Sequence, residues 1–142
     1  MLRLLKLTLF VTTISFTVGC NKDKQEYSQI PDGSIWTLKA CISTNNGDVQ
    51  FVSNANHIEM SFPKKGVYTF SSGLKRINSN YRLKAEVGNA MFSKPTKPAT
   101  FDKEVTGYLS TILKSNSYEL VGNNLKIASS STNKFLIFER IR

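Results

Sequence analysis

Two cysteines, one histidine and a scatter of carboxylates are the side chains of this 142-residue chain whose chemistry could make or break bonds. Cys41 and His57 form the pair to weigh first, since a thiol becomes a nucleophile when a neighbouring base lowers its pKa. No third group stands ready to orient the imidazole, and Cys41 falls on the polar phase of its strand, so a packed and inert thiol is the competing reading. His57 and Glu59 share one face of a strand and offer at most two ligands where a zinc site wants three or four. Asp48, Glu59, Glu86, Asp102, Glu104, Glu119 and Glu139 are dispersed, and nothing sets two of them apart as an acid and a base across a scissile bond. The run Ser129-Ser130-Ser131-Thr132 lacks flanking glycines and precedes a strand, unlike a nucleophile elbow. No glycine-rich loop of the kind that cradles phosphate is present. The residues therefore predict a protein without catalytic site, cofactor or metal, with a Cys41/His57 enzyme as the last alternative.

The other cysteine has a clearer context. Arg3 and Lys6 precede a mostly apolar run from Leu7 to Val18, which is shorter than the roughly 20 residues that span a bilayer. Its ending, Thr17-Val18-Gly19-Cys20, resembles the lipobox of bacterial lipoproteins, with Thr17 where leucine is usual. That resemblance implies diacylglycerol in thioether linkage on Cys20, cleavage after Gly19 and acylation of the new amine. Two or three acyl chains, at about 0.8 kcal/mol per buried methylene, would fix the protein to a membrane. An ordinary secretory signal followed by an unrelated cysteine is the alternative. Asn21 stands where inner-membrane lipoproteins of enterobacteria carry aspartate, which points to the outer membrane. The organisation expected is a leader over 1–19, a lipid anchor and flexible tether over 20–33, and one domain over 34–142. Cleavage leaves 123 residues, enough for one modest core. Cys41 is then the lone thiol and has no partner for an intrachain bridge.

Removing Arg3 and Lys6 with the leader leaves 17 basic and 10 acidic side chains, a net charge of +7. Lys64, Lys65, Lys75, Arg76, Lys94 and Lys97 all fall in predicted loops. Such a surface draws acidic partners: lipid phosphates, anionic glycans or an acidic protein. Nucleic acid would suit the charge but not an exported protein. The same lysines equally serve to keep a small domain soluble.

The elements that must position these groups show two periodicities. Trp36, Leu38, Ala40 and Ile42 alternate with Thr37, Lys39 and Cys41, and Asn45-Asn46-Gly47-Asp48 signals a hairpin before Val49 and Phe51. Ile58, Met60 and Phe62 repeat the alternation against His57, Glu59 and Ser61, and Pro63-Lys64-Lys65-Gly66 turns the chain into Tyr68 and Phe70. Phe101, Val105, Tyr108, Leu109 and Ile112 then follow helical spacing. Thr100 is the expected cap, with Asp102 and Glu104 in a first turn where negative charge suits the helix dipole. Gly107, off the apolar stripe, marks either a close backbone approach or a tolerated weakness. Around this helix the sequence echoes itself. Tyr81-Arg82-Leu83 with Gly88-Asn89, Met91 and Phe92 matches Tyr118-Glu119-Leu120 with Gly122-Asn123, Leu125 and Ile127, which predicts two similar hairpins flanking the helix. Phe135 to Phe138 is apolar on both faces, as in a central strand.

From Trp36 onward the chain resembles a META domain, the group that includes the heat-shock protein HslJ. The resemblance rests on Trp36-Thr37-Leu38, Ile58-x-Met60-x-Phe62, Ser72-Gly73 leading to Tyr81, Thr96-Lys97-Pro98-Ala99, and the helix with Glu104 and Leu109. Tyr118-x-Leu120, Gly122-Asn123-x-Leu125 and Leu136-x-Phe138 complete it. Two cysteines common in that family are missing: Gly73-Leu74-Lys75 replaces the first, and none follows Ala99. The resemblance implies an α+β fold, a curved antiparallel sheet of about eight strands packed around one helix near residues 100–114. It further implies an envelope lipoprotein linked to stress protection. A module for protein or envelope contact is the expected function, with binding of a small apolar or acyl ligand in the curved sheet as the alternative.

Overall fold

A computed structural model describes residues 29–53 and 57–142. The leader, Cys20 and the tether as far as residue 28 lie outside the described residues.

Among the described residues, nine strands and one helix follow in order: β1 Ser34–Ser43, β2 Val49–Phe51, β3 Ile58–Lys64, β4 Val67–Ser72, β5 Lys75–Lys84, β6 Asn89–Phe92, α1 Lys103–Leu113, β7 Ser117–Val121, β8 Asn124–Ser129 and β9 Lys134–Arg140. Every pairing is antiparallel, and β9 returns to pair with β1. Eight strands thus close into a barrel. The short β2 lies beside the far half of β1, where Ala40 to Ile42 face Phe51 to Val49, while the near half pairs with β3. The fold is the expected α+β arrangement, a curved antiparallel sheet around one helix, closed on itself.

Alternation explains the interior. Trp36, Leu38, Ile58, Met60, Phe62, Tyr68, Phe70, Leu125, Ile127, Leu136 and Phe138 are all buried. Fully burying a side chain of this size contributes about 1.5–3 kcal/mol, so the strands have one energetically acceptable orientation. Aromatic rings pack across alternate strands: Phe62 of β3 meets Tyr81 of β5 edge-on at 5.2 Å, and Tyr68 of β4 meets Phe92 of β6 edge-on at 5.2 Å. Helix α1 turns Val105, Tyr108, Thr111 and Ile112 inward. Leu109 packs against the same core, as does Phe101 from just ahead of the helix, its ring 5.6 Å from Phe70.

The two hairpins flank the helix as their echo predicts. In each, the Tyr-x-Leu strand pairs with the strand that follows: Tyr81 faces Phe92 and Leu83 faces Ala90, while Tyr118 faces Ile127 and Leu120 faces Leu125. Their turns differ, spanning residues 85–88 in the first and only Gly122-Asn123 in the second. Gly122, at φ 59, supplies the positive φ that a two-residue hairpin turn requires at its first position.

Several local expectations are corrected. Helix α1 is capped at Asp102, without a side-chain hydrogen bond, so Thr100 is not the cap and only Glu104 lies in the first turn. A side-chain carbon built on Gly107 would meet nothing within 4 Å, so no close approach requires the glycine. Lys64, Lys75 and Arg76, expected in loops, lie in strands: Lys64 ends β3, and Lys75 and Arg76 open β5, whose first half is nearly all polar with Ile77 its one buried side chain. Ile30, assigned to the tether, is 3% exposed and belongs to the core, so the folded unit begins ahead of residue 34. Behind it, Gly33 N–H donates to Phe62 O at 2.6 Å, and the Ser34 hydroxyl donates to Pro31 O while accepting from Trp36 Nε1. In β9, Leu136 and Phe138 are buried while Phe135 and Ile137 are half-buried, with Lys126 Nζ 4.3 Å from the centre of the Phe135 ring.

Candidate functional site

The chemistry read from the sequence is dispersed by a single extra residue. Leu38 faces Phe138, but the next partner of β9, Ile137, faces Ala40, leaving Lys39 as a β-bulge. Ala40 stays buried, and the bulge shifts the phase of the residues after it. Cys41, expected on the polar face, turns inward opposite Leu136 and is buried, and Ile42 takes the half-exposed position. Burial pushes the Cys41 thiol above its ordinary pKa, and the positive charge of Lys134 only partly opposes this. The thiol is therefore protonated at neutral pH and is a poor nucleophile.

His57 does not join it. The residue lies ahead of β3, exposed, with φ 48, so it shares no strand face with Glu59. Left-handed backbone is uncommon for a non-glycine residue, although histidine is among the types that tolerate it. No hydrogen bond links His57 to Cys41 among the described residues. Nor do three His, Cys, Asp or Glu side chains gather there as metal ligands.

What does face Cys41 is a small polar cluster on the helix. Tyr108 donates its hydroxyl to Glu104 Oε2 at 2.8 Å, and Gln50 of β2 donates from Nε2 to the same oxygen at 2.6 Å. Burial raises the Tyr108 pKa, with the hydrogen bond to Glu104 and that carboxylate's charge adding to it. The cluster ties α1 to β2 and keeps its phenol protonated.

A more open hollow lies elsewhere. A groove of about 740 Å³ runs along the β5–β6 hairpin, bordered by the β3–β4 turn at Lys65-Gly66, by Gln29, and by Ser115-Asn116 beyond the helix. Its position follows from how β6 and β7 meet. They share one residue pair, Asn89 with Ser117, because the chain between them must leave the sheet to form α1. A smaller hollow of about 200 Å³ lies at the same seam, between Val87-Gly88 and Ser117 to Glu119.

Of the six basic residues singled out in the sequence, only Lys65 borders the large groove. Lys75 and Arg76 begin β5 rather than a loop, and the Lys75 ammonium donates to Thr100 O at 2.7 Å. Lys94 and Lys97 lie between β6 and α1, where Lys94 O accepts from Ser79 Oγ. Two cations that sequence reasoning missed, Arg82 and Lys84, do line the groove. Their only signal was alternation: they are the outward residues of a strand whose inward residues are Tyr81 and Leu83.

No protein-family model matches the chain, and no curated protein sequence matches it. Its fold does have solved likenesses. The crystal structure of a DUF4847 family protein from Bacteroides vulgatus superposes with a TM-score of 0.61 at 12% identity, over 75% of this chain and 92% of that one. The NMR structure of a protein from Burkholderia xenovorans gives a TM-score of 0.56 at 16% identity, over 87% of this chain and 98% of that one. At such identities the likeness is one of fold: a small antiparallel barrel with one helix.

Proposed function

We propose that this chain is an exported lipoprotein that holds a META/HslJ-like barrel at the bacterial cell envelope, at the outer membrane, and acts there by non-catalytic contact in stress protection. The observation that carries the proposal is the run from Arg3 to Cys20, a charged start and an apolar stretch ending in Gly19-Cys20. Ile30 supports it, because a core residue ten positions beyond Cys20 leaves a short leash between attachment point and domain. The net positive charge suits an anionic envelope component or an acidic protein as partner. The META/HslJ-like reading draws on the order of elements, two Tyr-x-Leu hairpins around one helix before an apolar last strand. Mass spectrometry of the mature N-terminus is the direct test. A triacylated or diacylated Cys20 is expected, abolished in Cys20→Ala, and an unmodified Cys20 would refute the anchor.

A second reading, a module that binds a small apolar or acyl ligand, is favoured by the groove beside the β5–β6 hairpin. Its volume falls within the roughly 300–1,000 Å³ typical of small-molecule sites.

A further inference from the structure

We infer that the groove along the β5–β6 hairpin binds an acidic amphiphile, an alkyl or acyl chain carrying an oxyanion head. This rests on the ligand-binding reading and not on lipidation of Cys20. Lys65, Arg82 and Lys84 line the groove, and among the described residues no carboxylate does. None of the three forms an ion pair among the described residues; the ion pair found there joins Lys39 to Glu139. The charge of Asp32 reaches Tyr81, although Asp32 does not itself border the groove. Three cations crowded beside one hollow repel each other, and an oxyanion between them would relieve that repulsion.

The apolar half of the ligand is specified separately. Leu83 is only partly buried by the core it packs against, and Met91 is 57% exposed although it lies within a strand. Both border the same groove, with the Arg82 guanidinium 3.9 Å from the Met91 sulfur. A flexible thioether next to a guanidinium suits a ligand with a greasy body and a charged end, because methionine adapts to irregular apolar shapes and arginine holds oxyanions by a planar fork. The β6–β7 seam holds one register pair and the hydrogen bonds Ala90 N–H to Asn116 O and Tyr118 N–H to Gly88 O, so a chain entering there would disturb few backbone hydrogen bonds.

The experiment uses the chain as isolated, in phosphatidylcholine nanodiscs if Cys20 is acylated and in plain buffer if it is not, with its methionines labelled at the 13C-methyl group. Met91 reports on the groove, and Met60, which is fully buried, reports on the fold. Hexyl phosphate is expected to shift the Met91 resonance saturably while Met60 stays still. Hexyl glucoside and inorganic phosphate are each expected to bind at least about tenfold more weakly, and Arg82→Glu with Lys84→Glu should weaken hexyl phosphate by about the same factor. Both variant positions are exposed, and an unmoved Met60 signal certifies the fold. Glucoside binding as tight as hexyl phosphate would overturn the acidic head yet keep the ligand-binding reading. Inorganic phosphate binding as tightly would make the site one for a free anion and overturn the amphiphile. Silence from Met91 with all three probes would sink both.

Discussion

The barrel has two seams that could hardly differ more. Where β9 meets β1, pairing runs without a break in chain contact from Trp36 opposite Arg140 to Ser43 opposite Lys134, absorbing the Lys39 bulge on the way. Where β6 meets β7, one pair holds the sheet together, helped by hydrogen bonds from Ala90 N–H to Asn116 O and from Tyr118 N–H to Gly88 O. The first seam joins the first and last strands of the barrel, which carry Trp36, Leu38, Leu136 and Phe138. The second is interrupted because the chain must detour through α1. Closure of a barrel removes exposed edges only as far as ladders extend, so the closed seam supplies stability and the open one supplies access.

The heaviest blow to this contrast is Phe138→Ala. Phe138 is fully buried on β9, facing Leu38 on one side and Leu125 on the other. The truncation is expected to cost about 3–5 kcal/mol, read by urea unfolding with the fluorescence of the single tryptophan, Trp36. A cost below about 1 kcal/mol would mean that the β1–β9 seam is not the structural spine.

Alkali should attack the other side. Tyr68 donates its hydroxyl to Ser93 O at 2.7 Å and packs on Phe92, tying the exit of β6 to β4, and burial raises its pKa to about 12. A phenol raised in this way keeps its proton in the folded state after the unfolded chain, near 10, has lost it. The stabilisation is therefore complete below pH of about 10 and fades as pH rises toward about 12, amounting to about 2–3 kcal/mol in all. Melting curves between pH 8 and 11.5 should show that decline, and Tyr68→Phe should flatten it. A parent and variant with the same pH dependence would contradict the assignment.

How much of this was legible beforehand depends on whether a residue's role is local. The helix face from Val105 to Ile112 and the pairing of both Tyr-x-Leu hairpins could be read because period and turn chemistry are carried by the sequence itself. The facing of Cys41 could not, because a bulge is a relation between two strands and one inserted position shifts the phase of the residues after it. The first half of β5 stayed hidden for a different reason. Its side chains are polar on both phases save Ile77, and its neighbours, not its composition, hold it in the sheet. Ile30 was lost among tether residues because a lone isoleucine before Pro31-Asp32-Gly33 has no periodicity to join. The groove required knowing that β6 and β7 barely touch, and Arg82 and Lys84 read simply as solvated alternates until that gap placed them beside it.

The mildest change sharpens the comparison best. Gly107 lies in the exposed part of α1 with open space around it, so Gly107→Ala should stabilise the protein by about 0.4–1 kcal/mol. Native-state hydrogen exchange should then slow at Ala90, Asn116 and Tyr118, next to the helix exit, while Leu136 and Phe138, already slow, change only with global stability. Uniform slowing everywhere would show that both seams open together.

Ile30 has a mechanical consequence. Any tension arriving along the chain from the side of Cys20 meets the barrel first at this peg and at the Gly33 bond to Phe62, next to the groove bordered by Gln29. Only nine peptide steps separate Cys20 from Gln29, a contour of about 30 Å when taut. An acylated molecule would consequently carry the groove on the side of the barrel where the chain from Cys20 arrives.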